Sequence, residues 1–87
     1  MRRVEKDTID ALEHSLVYHV HHFPGTTTTV AIAVLPNGFT VGVGKSACLD
    51  PAMFNADVGE TVAKEQARKQ SVEMLWALEG YKVKSAS

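Results

Sequence analysis

A short turn, Pro36-Asn37-Gly38, sets the strongest limit on how these 87 residues can fold. Before it, Val30 to Leu35 alternates β-branched and small side chains, and after it Phe39 to Val43 continues with the same period of two. Asn and Gly tolerate the positive φ that a tight turn between strands requires. The two segments and the turn therefore predict a β-hairpin.

An earlier segment predicts a third strand. Leu16 to His22 alternates until Phe23-Pro24-Gly25 ends it, because proline and glycine interrupt a regular strand. The three strands follow one another with short connections, which predicts an antiparallel meander. Gly42 and Gly44 inside the last strand indicate a bulge or a place where another chain or a ligand comes close to bare backbone.

Two short segments outside the strands have helix-start signals. Thr8 to His14 has apolar residues at helical spacing, and Asp7 precedes it as a candidate N-cap. Asp50 followed by Pro51 predicts a short capped turn. We expect this turn to carry Met53 and Phe54 into the core.

The C-terminal part of the chain predicts one long helix, from Ala56 to Leu78, closed by Gly80. One of its ridges consists of small residues at every fourth position, so another backbone can approach closely. This ridge packs either on the chain's own sheet or on the same helix of another copy, and we take it as an oligomer interface. Its residues are Gly59, Ala63, Ala67 and Ser71.

The predicted fold class is therefore α+β: a short N-terminal helix, a three-stranded antiparallel β-meander and a long C-terminal helix. With 87 residues the chain has room for one core, so we expect a single domain over residues 1–87. A domain this small gains only modest stability from its own core. Self-association is therefore an early expectation.

Composition argues against several classes of protein. Nine Lys and Arg stand against ten Asp and Glu without a basic stripe, which argues against binding to duplex nucleic acid. The longest apolar stretch, Val30 to Leu35, is too short to cross a bilayer. A single cysteine, Cys48, and no apolar leader indicate a reducing cytoplasm.

Gly42-Val43-Gly44-Lys45-Ser46 resembles the end of a phosphate-binding P-loop. The spacing does not fit, because Phe39 stands where that loop needs its first glycine, and no helix is predicted to begin at Lys45. We therefore expect no nucleotide-hydrolysing loop. Lys45 and Ser46 remain candidates for contacting an anion at the end of a strand.

Four histidines and one cysteine form the other candidate site. His19 and His21 project from one face of a strand, a spacing at which two imidazoles can share a metal. No CxxC or HExxH motif supplies further ligands, so we expect no metal and no cofactor. The carboxylates of the long helix are interleaved with cations, as on a solvated face. The chain is thus predicted not to be an enzyme, with a His/Cys metalloenzyme as an alternative.

Three motifs in combination carry a family resemblance: Asn37-Gly38-Phe39, the Ser-Ala-Cys-x-Asp-Pro run of residues 46–51, and Leu78-Glu79-Gly80-Tyr81. With them the chain resembles a family of short proteins of tailed bacteriophages and prophages, over nearly its whole length. The resemblance implies a phage origin and a location in the host cytoplasm.

The chain is also similar to the sponge-type Thoeris anti-defence proteins. That similarity implies an oligomer that sequesters a cyclic nucleotide signal without cleaving it. It also implies that Phe39 stacks on a base, that Asp50 lies at a ligand-facing turn, and that Arg68 and its neighbour offer charge to phosphates. The predicted ligand-binding residues are Phe39, Lys45, Ser46, Asp50, Lys64 and Arg68.

The sequence is therefore interpreted as a phage accessory protein that counters a host defence. Its expected partners are a small nucleotide signal and further copies of itself. The alternative is a protein-interaction module that inhibits a host factor through its exposed sheet or its helix.

Overall fold

A computed structural model describes residues 3–86. The sheet has the order β1-β2-β3 with both pairs antiparallel, so the predicted meander and the α+β fold class are confirmed. A single 3-10 turn, Pro51–Met53, separates the sheet from the long helix. The other elements are α1 (Lys6–His14), β1 (Val17–His22), β2 (Thr28–Val34), β3 (Thr40–Ala47) and α2 (Ala56–Ala86).

The hairpin between β2 and β3 turns where the sequence predicts it. Gly38 has φ of +90°, which only glycine adopts without strain. The main-chain N–H of Gly38 donates to the carbonyl oxygen of Leu35 at 2.8 Å, and the N–H of Leu35 donates to the carbonyl of Phe39 at 2.9 Å. The turn thus closes the two strands in register.

The last strand, Thr40–Ala47, is irregular, and it contains Gly42 and Gly44 as predicted. Ala33 pairs with Gly42 while the next residue of β2, Val34, pairs with Thr40, so Val41 is an extra residue in the ladder. This confirms the predicted bulge.

The small-residue ridge of α2 lies against the chain's own sheet. Ala63, Ala67 and Ser71 are fully buried. A Cβ built on Gly42 would collide with the Ser71 hydroxyl and the Ala67 carbonyl oxygen, and one on Gly44 with main-chain atoms of Ala63 and Ala67. Backbone of the strand and backbone of the helix are therefore in direct contact.

This packing corrects the assignment of the ridge to an oligomer interface. Gly59, Ala63, Ala67 and Ser71 are buried beneath β2 and β3 and present no surface to another copy. The physical reason is complementarity: glycines of the strand and small residues of the helix together allow close approach within one chain. At Gly42 and Gly44 the sequence predicted a bulge or the approach of another chain or a ligand, and the segment that approaches is instead the chain's own helix α2.

The core is small and lies between the sheet and the two helices. Ile9 from α1 and Leu75 from α2 are its largest fully buried apolar side chains. Partly buried residues, among them Leu12 and Val20, pack around it. The remaining core residues are Leu16, Ala31, Ala33, Val41, Ala63 and Ala67.

The helix boundaries depart from the predictions at two places. Glu5 precedes α1, without a side-chain cap, and Asp7 lies inside the first turn, so the predicted cap at Asp7 is wrong. Gly80 does not end α2, which continues to Ala86. A glycine costs a helix only about 1 kcal/mol, and no proline follows to stop it.

Of the predictions around the start of α2, its first residue, Ala56, is confirmed and the burial of Met53 is wrong. Asn55 caps α2, since its Oδ1 accepts from the N–H groups of Asp57 at 3.0 Å and Val58 at 3.2 Å. Met53 does not enter the core as predicted, because its side chain is 74% exposed. Phe54 is half-buried, with its ring stacked on that of His22 at a centroid distance of 5.0 Å.

Both helices lie on one side of the sheet. Side chains of β2 at Thr29, Ala31 and Ala33 are buried beneath α2, while the alternate residues point to the opposite face, which no helix of residues 3–86 covers. No helix in residues 3–86 is long and apolar enough to cross a membrane.

Candidate functional site

An open groove runs between β1 and α2. It exists because α2 lies over β3 and β2 and only touches β1. Its volume is about 350 Å³, which is at the lower end of the range for small-molecule sites. The groove is lined by Tyr18, Thr61, Lys64, Glu65 and Arg68.

Arg68 is held in one orientation by two carboxylates. Its Nη1 donates to Glu13 Oε1 at 2.8 Å, and its Nε and Nη2 donate to the two oxygens of Glu65 at 3.0 and 2.6 Å. The hydrogen bond to Glu65, and after it the one to Glu13, raises the pKa of the guanidinium above its ordinary value. The hydrogen bond between Arg68 and Glu65 also lowers the pKa of the Glu65 carboxyl. The groove thus contains a fixed positive charge with two acceptors already bound.

Tyr18 and Lys64 complete the groove. Burial raises the pKa of the Tyr18 phenol, with a smaller contribution from the carboxylate of Glu13, so the ring is neutral at pH 7. Lys64 Nζ lies 2.9 Å from Glu60 Oε1, an ion pair one helical turn long. The groove therefore combines an aromatic ring with two cations, each paired with a carboxylate, and Glu65 is part of its lining. The ring suits a planar base, and the remaining N–H groups of the cations suit a phosphate.

Two of the six predicted ligand-binding residues meet in this groove, Lys64 and Arg68. Phe39 lies at the β2–β3 turn with its side chain half-exposed, and its N–H donates to Asn37 Oδ1 at 2.9 Å. Seven residues of extended chain separate it from Ser46, roughly 23 Å at the rise of a strand. Phe39 is therefore at the opposite end of β3 from the remaining candidates.

Lys45, Ser46 and Asp50 do not converge on one point either. Lys45 and Ser46 are consecutive in β3 and point to opposite faces, with Ser46 toward α2. Asp50 caps the 3-10 turn, since its Oδ1 accepts from the N–H of Ala52 at 3.0 Å. Of the six predicted residues, the fold therefore brings only Lys64 and Arg68 together in one groove.

Sequence reasoning missed Tyr18 as a site residue. It was seen only as one of the alternating side chains of β1, and nothing local to Tyr18 marks it as different from Val20. Its role depends on Lys64 and Arg68, which lie about 50 residues further along the chain and reach it only through the packing of α2.

A second cavity lies at the other end of the sheet. Its volume is about 490 Å³, and it contains no charged side chain. The hydroxyl of Thr27 closes one wall by donating to the carbonyl oxygen of Cys48 at 2.6 Å. The lining residues are Gly25, Thr26, Thr27, Thr28, Cys48, Leu49, Pro51 and Phe54.

The histidines and the cysteine are spread over the sheet. His19 and His21 lie on the face opposite α2, and His21 contacts Phe23 edge to face with ring centroids 4.7 Å apart. Cys48 Sγ donates to the carbonyl oxygen of Asp50 at 3.1 Å. Within residues 3–86, no three His, Cys, Asp or Glu side chains are grouped closely enough to hold a metal ion.

We call the uncovered side of the sheet the outer face. Its centre is apolar, and its ionisable groups are His19, His21 and Lys45. None of the strands contains an aspartate or glutamate. The apolar residues of the outer face are Val17, Val30, Ile32, Val34 and Val43.

Comparison with known proteins identifies the family. Searches of curated proteins and of solved structures return no significant match. A protein-family model matches residues 4–87, almost the whole chain. The chain therefore belongs to the phage protein family described as N4 Gp49/phage Sf6 gene 66.

Proposed function

We propose that this phage protein binds a host cyclic nucleotide signal and holds it without hydrolysing it, as a counter-defence protein in the host cytoplasm. The groove between β1 and α2 carries the proposal, because it combines Tyr18 with Lys64 and Arg68. An aromatic ring stacks on a base, and a guanidinium and an ammonium attract a phosphodiester.

The ion pairs of the groove are compatible with a ligand of low charge. Arg68 has five N–H groups, of which three are used by Glu13 and Glu65. Two N–H groups are left for a phosphate oxygen. Each phosphate group of a cyclic nucleotide carries one negative charge, so Glu65 repels such a group less than it would repel a terminal phosphate with two.

Sequestration also agrees with the polar groups of the groove. Glu65 is bound to Arg68, which lowers its pKa and keeps it ionised, so it is a poor general acid. Tyr18 stays protonated at pH 7 because its pKa is raised, so it is a poor general base. Binding alone removes a signal from its receptor when the protein is in excess.

Isothermal titration calorimetry with a panel of cyclic mono-, di- and trinucleotides and cyclic ADP-ribose isomers tests this proposal. We expect heat from at least one ligand, and recovery of that ligand unchanged by chromatography. Arg68→Gln should weaken binding at least tenfold, and Lys45→Gln, which removes a cation from the outer face, should not. No heat across the panel, or recovery of a cleaved product, would contradict the proposal.

The outer face supports a second candidate function, a protein-interaction module that inhibits a host factor. Its apolar centre is flanked by His19, His21 and Lys45 and contains no acid, so an acidic and apolar protein surface is the complementary partner. A pull-down from host lysate that retains one partner in stoichiometric amount, and loses it with Val43→Asp, favours this function. A nucleotide-binding protein should retain no such partner, and Val43→Asp should leave its nucleotide binding unchanged.

A further inference from the structure

The two edges of the sheet differ in how their main-chain groups are satisfied. On β3, the N–H of Val43 donates to Gln70 Oε1 at 2.7 Å and that of Lys45 to Gln66 Oε1 at 3.1 Å. Both glutamines come from α2, which therefore caps this edge. The bulge and a lysine add to the protection, as in natural edge strands that avoid pairing.

The edge of β1 has none of these features. Its pairing with β2 is regular over six residues, and it contains no lysine, proline or acid. The main-chain N–H and C=O groups of successive residues in a strand point to alternate sides. Since those of Val43 and Lys45 point away from the sheet, Gly42 and Gly44 bond to Ala33 and Ala31 of β2. The groups of Val30 and its alternate neighbours therefore bond to β1.

The same alternation fixes which groups of β1 are unpaired. The N–H of Phe23 donates to the carbonyl of Thr28 at 3.1 Å, so the odd-numbered residues of β1 face β2. The main-chain groups of Tyr18, Val20 and His22 point away from the sheet, and no side chain of residues 3–86 caps their N–H groups. β1 is therefore an open edge able to accept another strand.

We propose that β1 of a second copy pairs with this edge, antiparallel, about a two-fold axis at Val20. This register places Tyr18 opposite His22 of the second copy and Val20 opposite its own equivalent. All three outward residues then pair, which supplies about six main-chain hydrogen bonds, within the range of a typical protein interface.

The charge of the edge favours a second copy as the occupant. Natural edges repel copies of themselves with lysine, and β1 contains no lysine, arginine, aspartate or glutamate. A highly acidic or basic strand finds no opposite charge on this edge. Across the two-fold axis, apolar Val17 lies opposite Phe23 of the second copy on the outer face, so the apolar centre continues into the neighbour.

The pairing also adds to the groove. Tyr18 lines the groove from the edge strand, and cross-strand partners share a face of the sheet. His22 of the second copy then lies beside Tyr18 and adds an imidazole and a wall to the open side. This consequence rests on the proposed function, whereas the pairing itself does not.

Light scattering of the purified chain without nucleotide, over a range of concentrations, tests the pairing. We expect a dimer that dissociates on dilution. His19→Lys/His21→Lys, two exposed substitutions, places lysines directly opposite each other across the axis and should give a monomer with an unchanged circular dichroism spectrum. A wild-type monomer at every concentration, or a dimer that the double lysine variant leaves intact, would overturn the pairing.

Disulfide cross-linking locates the axis. In Cys48→Ser/Val20→Cys, the two cysteines face each other at the Cα separation of about 5.5 Å of a hydrogen-bonded pair, within disulfide range. We expect a cross-linked dimer on oxidation. The matched control, Cys48→Ser/Val43→Cys, places the cysteine on the capped edge and should stay monomeric on a denaturing gel; equal cross-linking of both would refute the assignment. The cross-linking is done without nucleotide, so a failure to form the dimer would leave the calorimetric test of nucleotide binding unaffected.

Discussion

The two faces of the sheet are built for different neighbours. Where β2 and β3 face α2, most side chains are small, and at Gly42 and Gly44 the backbones of strand and helix touch. The outer face presents valine and isoleucine with histidine and lysine at its borders, and no helix of the described chain covers it. The small residues of the face toward α2 therefore serve packing within the chain. The surface that remains open to another molecule lies on the outer face and along β1.

The largest effect should come from Gly44→Ala on the helix face. The new methyl group would meet main-chain atoms of Ala63 and Ala67, which cannot move without displacing the helix. We expect a loss of about 3 kcal/mol in the free energy of unfolding. Urea denaturation followed by circular dichroism measures it.

Gly80→Ala is the matched control. It makes the same substitution near the C-terminal end of α2, where nothing lies within 4 Å of the new methyl group. We expect this variant to be more stable by up to about 1 kcal/mol, because alanine is the better helix former. If Gly44→Ala proved as harmless as Gly80→Ala, the close contact between strand and helix would be wrong.

An intermediate effect should follow removal of the glutamines that cap β3. Gln66→Ala/Gln70→Ala frees the N–H groups of Val43 and Lys45 to water. We expect a loss of about 1 kcal/mol for the pair, and mass increases beyond the dimer at high concentration in light scattering. Substitution of the neighbouring exposed Lys69 by alanine serves as control. An unchanged mass would indicate that the bulge and Lys45 protect this edge without the caps.

A smaller effect should come from the outer face. Val43 is 49% exposed, and Val43→Thr keeps its shape while making the face more polar. We expect a change within about 0.5 kcal/mol in the same denaturation assay. A loss as large as that of Gly44→Ala would mean that the outer face is covered within the folded chain.

The smallest effect concerns acid sensitivity. Arg68 lowers the pKa of Glu65 in the folded state, so this interaction stabilises the fold above the ordinary pKa of the carboxyl and is lost as the pH falls through the lowered value. Glu65→Gln should therefore lose less stability than the wild type between pH 7 and pH 3. Thermal melts at the two pH values measure the difference, with Glu73→Gln as a control in the same helix. Equal losses in Glu65→Gln and wild type would contradict it.

Local sequence signals predicted most of the fold. The Asn37-Gly38 turn, the alternation of β2 and the start of α2 at Ala56 depend on neighbouring residues, and all three are found where they were expected. The predictions that failed needed knowledge of what packs nearby. Met53 and the end of α2 at Gly80 belong to this group, because exposure and helix length depend on contacts elsewhere in the fold.

The candidate site was less predictable. Lys64 and Arg68 lie together because residues four apart share a helix face. The resemblance grouped Phe39 and Asp50 with them, and the position at a strand end suggested Lys45 and Ser46. The fold separates these four residues from the groove. Tyr18 joins the groove only because α2 leaves β1 partly uncovered.

By itself, the sequence determined the strands, the turn, the helix start and the small-residue ridge, because these follow from residue type and spacing along the chain. Only the tertiary structure decided that the ridge faces Gly42 and Gly44 and that β1 is the open edge. The reason is that a ridge of small side chains fits any close backbone equally well, and the choice between the chain's own sheet and a neighbour depends on which surface the folded chain brings to it.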